Sequence, residues 1–296
     1  MSRQIIIYHA KCMDGLGALW VAKRYMPGAE MHAAAYGSAP PDVTDAEVFI
    51  LDFSYPRETI IAMANVARRV TVIDHHATSE ELLKGLPNTV FDKTKSGAVL
   101  AWHYFHGNDV SPPLILTYIQ DRDLWQWRLP ESHAINEVLR YRIDLNAPVT
   151  NQLNILSLMH EQMNDATHRI HFITQGDLLL ELKRRRTETA VHSAFFLTFY
   201  LGDTTIKLPC TFAESDIVSE VGQALALQSF YKTGCVILPL STRGTYGLSF
   251  RSLPTVDLAK VLAESYGGGG HAQAAGCGIS PTELAVLIGN SEPNIK

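Results

Sequence analysis

Apolar, β-branched runs that end on polar side chains recur through the first quarter of the chain. Val70-Thr71-Val72-Ile73 leads into Asp74-His75-His76, Ile5-Ile6-Ile7-Tyr8 into His9, Cys12 and Asp14, and Val48-Phe49-Ile50-Leu51 into Asp52. Runs of this kind predict buried strands. Gly15 to Met26 and Pro56 to Ala67 carry apolar residues at helical spacing, with Pro56 suited to a first turn, and Pro40-Pro41 breaks the chain before the Val48 run. The resulting order β-α-β-β-α-β predicts a largely parallel sheet. Ligands of open α/β sheets sit outside the carboxyl ends of the strands, so the three polar tips are expected to converge. A short strand near Val90, a helix from about Ser96 to Phe105 and a Pro112-started helix reaching Gln120-Asp121-Arg122-Asp123 follow.

From about Asn136 the pattern becomes strongly helical, over Leu153 to Met163 and Ile170 to Val191. The second stretch carries Lys183-Arg184-Arg185-Arg186, read as a solvated face in preference to a nucleic-acid contact. Strands over Ala194 to Leu201 and Thr204 to Cys210 flank a Gly202-Asp203 turn, followed by a helix over Ser215 to Leu227, strands near Val236 and Tyr246, and a helix over Val256 to Ser265. The expected partition is an N-terminal, largely parallel-sheet α/β metal-binding domain (1–135), a helical connector (136–192) and a smaller C-terminal α/β domain (193–296).

Composition narrows the function. A chain of 296 residues with 46% hydrophobic and 19% charged residues is long enough for two cores. Its formal net charge of -5 argues against a broad basic surface for long duplex DNA. Cys12, Cys210, Cys235 and Cys277 are widely spaced with no C-x-x-C pair, which indicates neither a zinc knuckle nor a disulfide framework and points to a reducing setting. The chain opens directly into a strand, and no apolar run approaches the roughly 18 residues of a membrane span. A cytoplasmic protein without a membrane partner is expected.

The N-terminal polar set suits a pair of divalent cations, since mixed carboxylate and imidazole donors match manganese or a similar ion. Two ions roughly 3.5 to 4 Å apart need a shared carboxylate, and Asp52 is the natural bridge. Phosphoester hydrolysis fits such a centre, because the ions stabilise attacking and leaving oxygens together. A strand-end aspartate can instead cap the following helix, so Asp52 alone decides little. Adjacent histidines at a buried strand end have little packing purpose and weigh more.

Val72-Ile73-Asp74-His75-His76 resembles the motif of the DHH phosphoesterase superfamily, and Gly268-Gly269-Gly270-His271-Ala272-Gln273-Ala274-Ala275-Gly276 resembles the glycine-histidine motif of its C-terminal DHH-associated domain. Together they span nearly the whole chain. The resemblance implies a nano-RNase-like enzyme with two divalent ions, most simply Mn2+, with Mg2+, Zn2+ or Fe2+ as alternatives. It also implies metal ligands at His9, Asp14, Asp52, His75 and Asp121, and Asp74 and His76 as catalytic residues, His76 facing the phosphate. The usual first motif is His, three residues, Asp, one residue, Asp. Here His9 lies one residue closer and Cys12 takes the place of the first Asp, as a thiolate ligand favouring zinc or iron or as a buried neighbour. Asp123 competes with Asp121 and is assigned the role of orienting a ligand. Arg251, Gly268, Gly269, Gly270 and His271 would bind substrate, with the second domain folded back over the metal cleft. The implied substrates are short single-stranded oligonucleotides cut to mononucleotides. A small signalling nucleotide such as adenosine 3',5'-bisphosphate or a cyclic dinucleotide is the alternative, and a non-catalytic nucleotide-binding protein the alternative of another class.

Overall fold

A computed structural model describes residues 3–239, 241 and 244–289. The chain divides into two compact units, residues 1–180 and 181–296.

The first unit is built on a five-stranded sheet in the order β2-β1-β3-β4-β5. Its strands are β1 (Gln4–His9), β2 (Glu30–Ala34), β3 (Glu47–Leu51), β4 (Arg69–Asp74) and β5 (Thr89–Phe91). Every neighbouring pair is parallel. The apolar runs explain why the sheet is covered on both faces. Ile5 and Ile7 enter one core with Val48, Ile50, Val70 and Val72, against Ile60 and Met63 of α2 (Arg57–Val66). Ile6, Tyr8, Phe49, Leu51 and Ile73 enter the other, against α1 (Met13–Tyr25), α4 (Gly97–His106) and α5 (Leu114–Asp123). Between β4 and β5 lies the short α3 (Ser79–Leu83). β2 and β3 both neighbour β1, so the strand order reverses between β1 and β3, the place where open α/β sheets leave a crevice at their carboxyl edge.

Residues 136–180, set apart in sequence as a connector, share this core. Ile135, Val138 and Leu139 of α6 (Ser132–Arg142), Leu156, Met159 and Met163 of α7 (Val149–Met163) and Phe172 of α8 (Ala166–His192) pack in the cluster that contains Ile6 and Leu19.

The second unit carries a mixed six-stranded sheet in the order β10-β11-β9-β8-β7-β6. Its strands are β6 (Phe195–Leu201), β7 (Thr204–Phe212), β8 (Thr233–Leu238), β9 (Tyr246–Ser252), β10 (Gly269–His271) and β11 (Ala274–Ile279), with helices α9 (Val218–Gln228), α10 (Leu258–Ser265) and α11 (Pro281–Gly289). Part of the glycine run is therefore an edge strand, not a loop throughout. Among the described residues of this sheet, only β7 and β8 pair in parallel. Cys210 and Cys235 are register partners there and fully buried, whereas Cys12 and Cys277 are partly exposed; all four are free thiols. Among the described residues no helix is long and apolar enough to cross a membrane.

Candidate metal centre

The carboxyl ends of β1, β3 and β4 deliver His9, Asp52 and Asp74-His75-His76 to one place, and the first turn of α1 adds Asp14. Asp52 follows β3 with φ +54, its amide donating to the Ile73 carbonyl at 2.9 Å, and is 1% exposed. Its Oδ1 lies 3.1 Å from His75 Nε2, and its Oδ2 lies 3.5 Å from His9 Nδ1. His9 Nδ1 and Asp52 Oδ2 are both buried and make no hydrogen bond. Buried polar atoms are rarely left so.

His75 Nε2 is the hub of three acids, 3.1 Å from Asp52, 3.4 Å from Asp123 Oδ2 and 3.6 Å from Asp14 Oδ2. Three sets of donor atoms lie close enough to share a cation: His9, Cys12 and Asp52; Asp52, His75 and His76; and Asp14, His75 and Asp123. Asp52 belongs to two of them. The electrostatics reflect the crowding. Burial, reinforced by the charges of Asp52 and Asp123, raises the Asp14 carboxyl well above its ordinary value, and burial raises Asp123. Burial also opposes ionisation of Asp52, but His75 and His9 overcome it and hold that carboxyl below the usual range. Cys12 caps α1, and burial together with the charge of Asp52 pushes its thiol upward.

Asp74 is fully buried and accepts four hydrogen bonds: from the amides of His75 (2.7 Å) and His76 (3.1 Å), from Ser54 Oγ (2.5 Å) and from His76 Nδ1 (2.7 Å). Sealed in this way, Asp74 fixes the orientation of the His76 ring. The bond to Asp74 in turn raises the pKa of His76.

The acid of α5 also differs from expectation. Asp121 turns its carboxylate to the backbone amides of Arg128 (2.9 Å) and Leu129 (3.3 Å), whereas Asp123 faces His75. Two residues along a helix are about 200° of rotation, so only one of the pair can face the centre. Ser54 and Gly97 are further members of the site that sequence reasoning missed. A Cβ on Gly97 would lie 2.5 Å from Asp52 Cβ, so only glycine lets the start of α4 approach; there the amides of Gly97 (2.5 Å) and Ala98 (3.0 Å) donate to Asp14.

In the second unit, Arg251, Gly268 and Gly269 line one cleft of about 610 Å³, while Gly270 and His271 lie in β10 and do not line it. The Arg251 guanidinium donates to Ser249 Oγ, the Phe250 carbonyl and Ser219 Oγ, and burial lowers its pKa.

No family model matches the chain. It is 26% identical to the uncharacterized protein R106 of Acanthamoeba polyphaga mimivirus, over 93% of this chain and 67% of that one. Among solved structures it is similar to the pGpG-specific phosphodiesterase PggH of Vibrio cholerae, with a TM-score of 0.53 and 13% identity over 97% of this chain and 98% of that one. The chain has the fold of that phosphodiesterase. RecJ of Thermus thermophilus, solved in complex with Mn2+, overlays at a TM-score of 0.48 with 16% identity over 97% of this chain and 51% of that one. Within this fold, Asp74-His75-His76 closes β4, one strand beyond the β1–β3 switch of strand order.

Proposed function

We propose that the protein is a metal-dependent phosphoesterase that cuts short single-stranded oligonucleotides to mononucleotides. The observation that carries this reading is the facing pair of buried, unbonded atoms, His9 Nδ1 and Asp52 Oδ2, in a cluster of donors that also includes Asp14 and Asp123. A cation between the two would satisfy both, and the donor set of imidazole, carboxylate and one thiol fits divalent manganese, iron or zinc. His9, Cys12 and Asp52 would hold one ion and Asp14, His75 and Asp123 the other, and Asp52, which also groups with His75 and His76, would be the shared carboxylate. Such ions supply Lewis acidity toward phosphoryl oxygens and lower the pKa of water.

The chain's own groups do the rest. His76, oriented by Asp74, presents its imidazole for a phosphate oxygen or a leaving alkoxide. Arg251, with Gly268, Gly269, Gly270 and His271, is assigned to substrate binding, because a guanidinium and exposed amides suit a phosphate away from the reacting one. The second reading, a phosphodiesterase of a small signalling nucleotide, is favoured by the fold shared with a pGpG-specific phosphodiesterase. A reducing, cytoplasmic setting accords with free thiols at all four cysteines.

The test is a Mn2+ titration of apoprotein with product analysis on diadenylate, longer oligoadenylates, a cyclic dinucleotide and adenosine 3',5'-bisphosphate. Metal-dependent release of mononucleotides from the short oligomers is expected. Turnover confined to the cyclic dinucleotide or the bisphosphate would establish the second reading, and nucleotide binding with no metal-dependent turnover would make the protein a non-catalytic binder.

A further inference from the structure

An aromatic side chain that the chemistry above does not use stands at the edge of the centre. The Tyr36 ring lies edge-on to His9 (centroids 5.5 Å apart, 72°) and to His76 (6.3 Å, 87°), and rests on Phe53 at 5.2 Å. His9 and His76 belong to two different donor sets around Asp52, so the ring spans the approach to both. Phe53 is buried, yet Tyr36 is 60% exposed. A large aromatic with one side anchored and the other in water needs an explanation when it adjoins a polar site.

Its backbone is fixed as well. Ala35-Tyr36-Gly37-Ser38 forms a tight turn in which the Ser38 amide donates to the Ala35 carbonyl at 3.0 Å and Gly37 takes φ +84, the third position of a type II turn. Ser38 Oγ donates to the same carbonyl at 2.7 Å and accepts from the Ala35 amide at 3.1 Å. The ring is therefore held in place before any ligand arrives, which lowers the ordering cost of a stacked partner.

We infer that Tyr36 is the stacking surface for a nucleobase of the substrate, the base next to the phosphate held between His9 and His76. This rests on the phosphoesterase reading and deepens it, because it commits the site to base-bearing substrates rather than inorganic polyphosphate. Every nucleobase has a π-face, so the contact would favour nucleotides without selecting a sequence.

The experiment compares Tyr36→Leu and Tyr36→Phe with wild type in steady-state hydrolysis of 5'-phosphorylated diadenylate and of two analogues lacking one base each, with bound metal measured in every protein. Leu covers Phe53 but has no π-face, whereas Phe keeps the ring. The expected result is a loss of about tenfold in kcat/KM for Tyr36→Leu on the complete dinucleotide, mainly in KM, with Tyr36→Phe within about threefold of wild type. On one of the two abasic analogues the Leu penalty should shrink to about threefold or less, which identifies the stacked base. Equal penalties on all three substrates, or loss of metal from Tyr36→Leu, would overturn the inference and make Tyr36 a shield over the histidines. Absence of metal-dependent turnover by the wild type on all three would instead overturn the phosphoesterase reading beneath it.

Discussion

At the scale of single residues, Asp52 is where backbone, burial and chemistry coincide. Among the described residues it is the one carboxylate within reach of all of His9, His75 and His76, at 3.5, 3.1 and 3.9 Å. Its left-handed φ of +54 is one that asparagine also tolerates, so Asp52→Asn should keep the fold and remove the shared charge. Hydrolysis should be abolished and bound metal reduced; a folded variant with wild-type metal and rate would refute the bridging role. Asp121 and Asp123 provide the sharper contrast. Asp123→Asn should lower metal occupancy and turnover. Asp121→Asn should keep both while costing about 1 kcal/mol of stability, since it weakens an acceptor for the Arg128 and Leu129 amides. Metal analysis beside denaturant unfolding separates the two. That His9, Asp52, His75 and His76 lie close together was legible in sequence because each ends or follows an apolar run that fixes a strand end. The α5 pair was not, because a helix end presents acids two residues apart in opposite directions, and only packing tells which one turns inward. Ser54 and Gly97 gave no signal either: one is a hydroxyl placed by a turn, the other an absent side chain.

At the scale of elements, the site depends on how α4 begins. Ser96 caps it by accepting from the Val99 amide, and its first free amides are taken by Asp14. Gly97→Ala would push a methyl into Asp52, so we expect it to cost on the order of 1–3 kcal/mol and to depress turnover. Unchanged melting temperature and unchanged kinetics in this variant would show that the α4 start is not packed on Asp52. The turn entering α4 is tied down by Asp92, which binds Lys95 Nζ, the Thr94 amide and Thr94 Oγ1. Those bonds, Lys95 foremost, lower its pKa to about 2. A carboxyl depressed in the folded state adds stability that is present above its unfolded pKa of about 3.9 and is lost as pH falls toward about 2. Asp92→Asn should thus be less stable than wild type at neutral pH, and the gap should narrow steadily below about pH 4 in urea titrations. A gap constant down to the acid limit would contradict the assignment. The strands β1, β3 and β4 could be read from sequence because a parallel strand buried on both faces is a continuous apolar run. β2 is counted in the predicted order β-α-β-β-α-β but without bounds, because Glu30–Ala34 is an edge strand with mixed burial and lacks that pattern.

At the scale of the whole molecule, the chain holds two units with separate sheets, and sequence located both sheets but set residues 136–180 apart from the first unit. The helices of residues 136–180 read as a connector because their apolar stripes do not say which partner they meet, whereas Leu156, Met159 and Phe172 bury against the first sheet's helical layer. The distribution of thiols gives this division an observable form. Cys210 and Cys235 are completely enclosed in the second unit, Cys277 is partly exposed in the same unit, and Cys12 adjoins His9 and Asp52 in the first. A thiol reagent therefore meets four built-in reporters. Under native conditions Cys277 should be alkylated first, Cys210 and Cys235 should react only as fast as the second sheet opens, and added Mn2+ should slow Cys12 while leaving that pair untouched. Peptide mass spectrometry over a labelling time course reads all four positions at once, and reaction of Cys210 at the rate of Cys277 would refute the enclosure. Opening of the second unit and occupancy of the cluster beside Cys12 in the first can then be followed in the intact chain, each by its own sulfur.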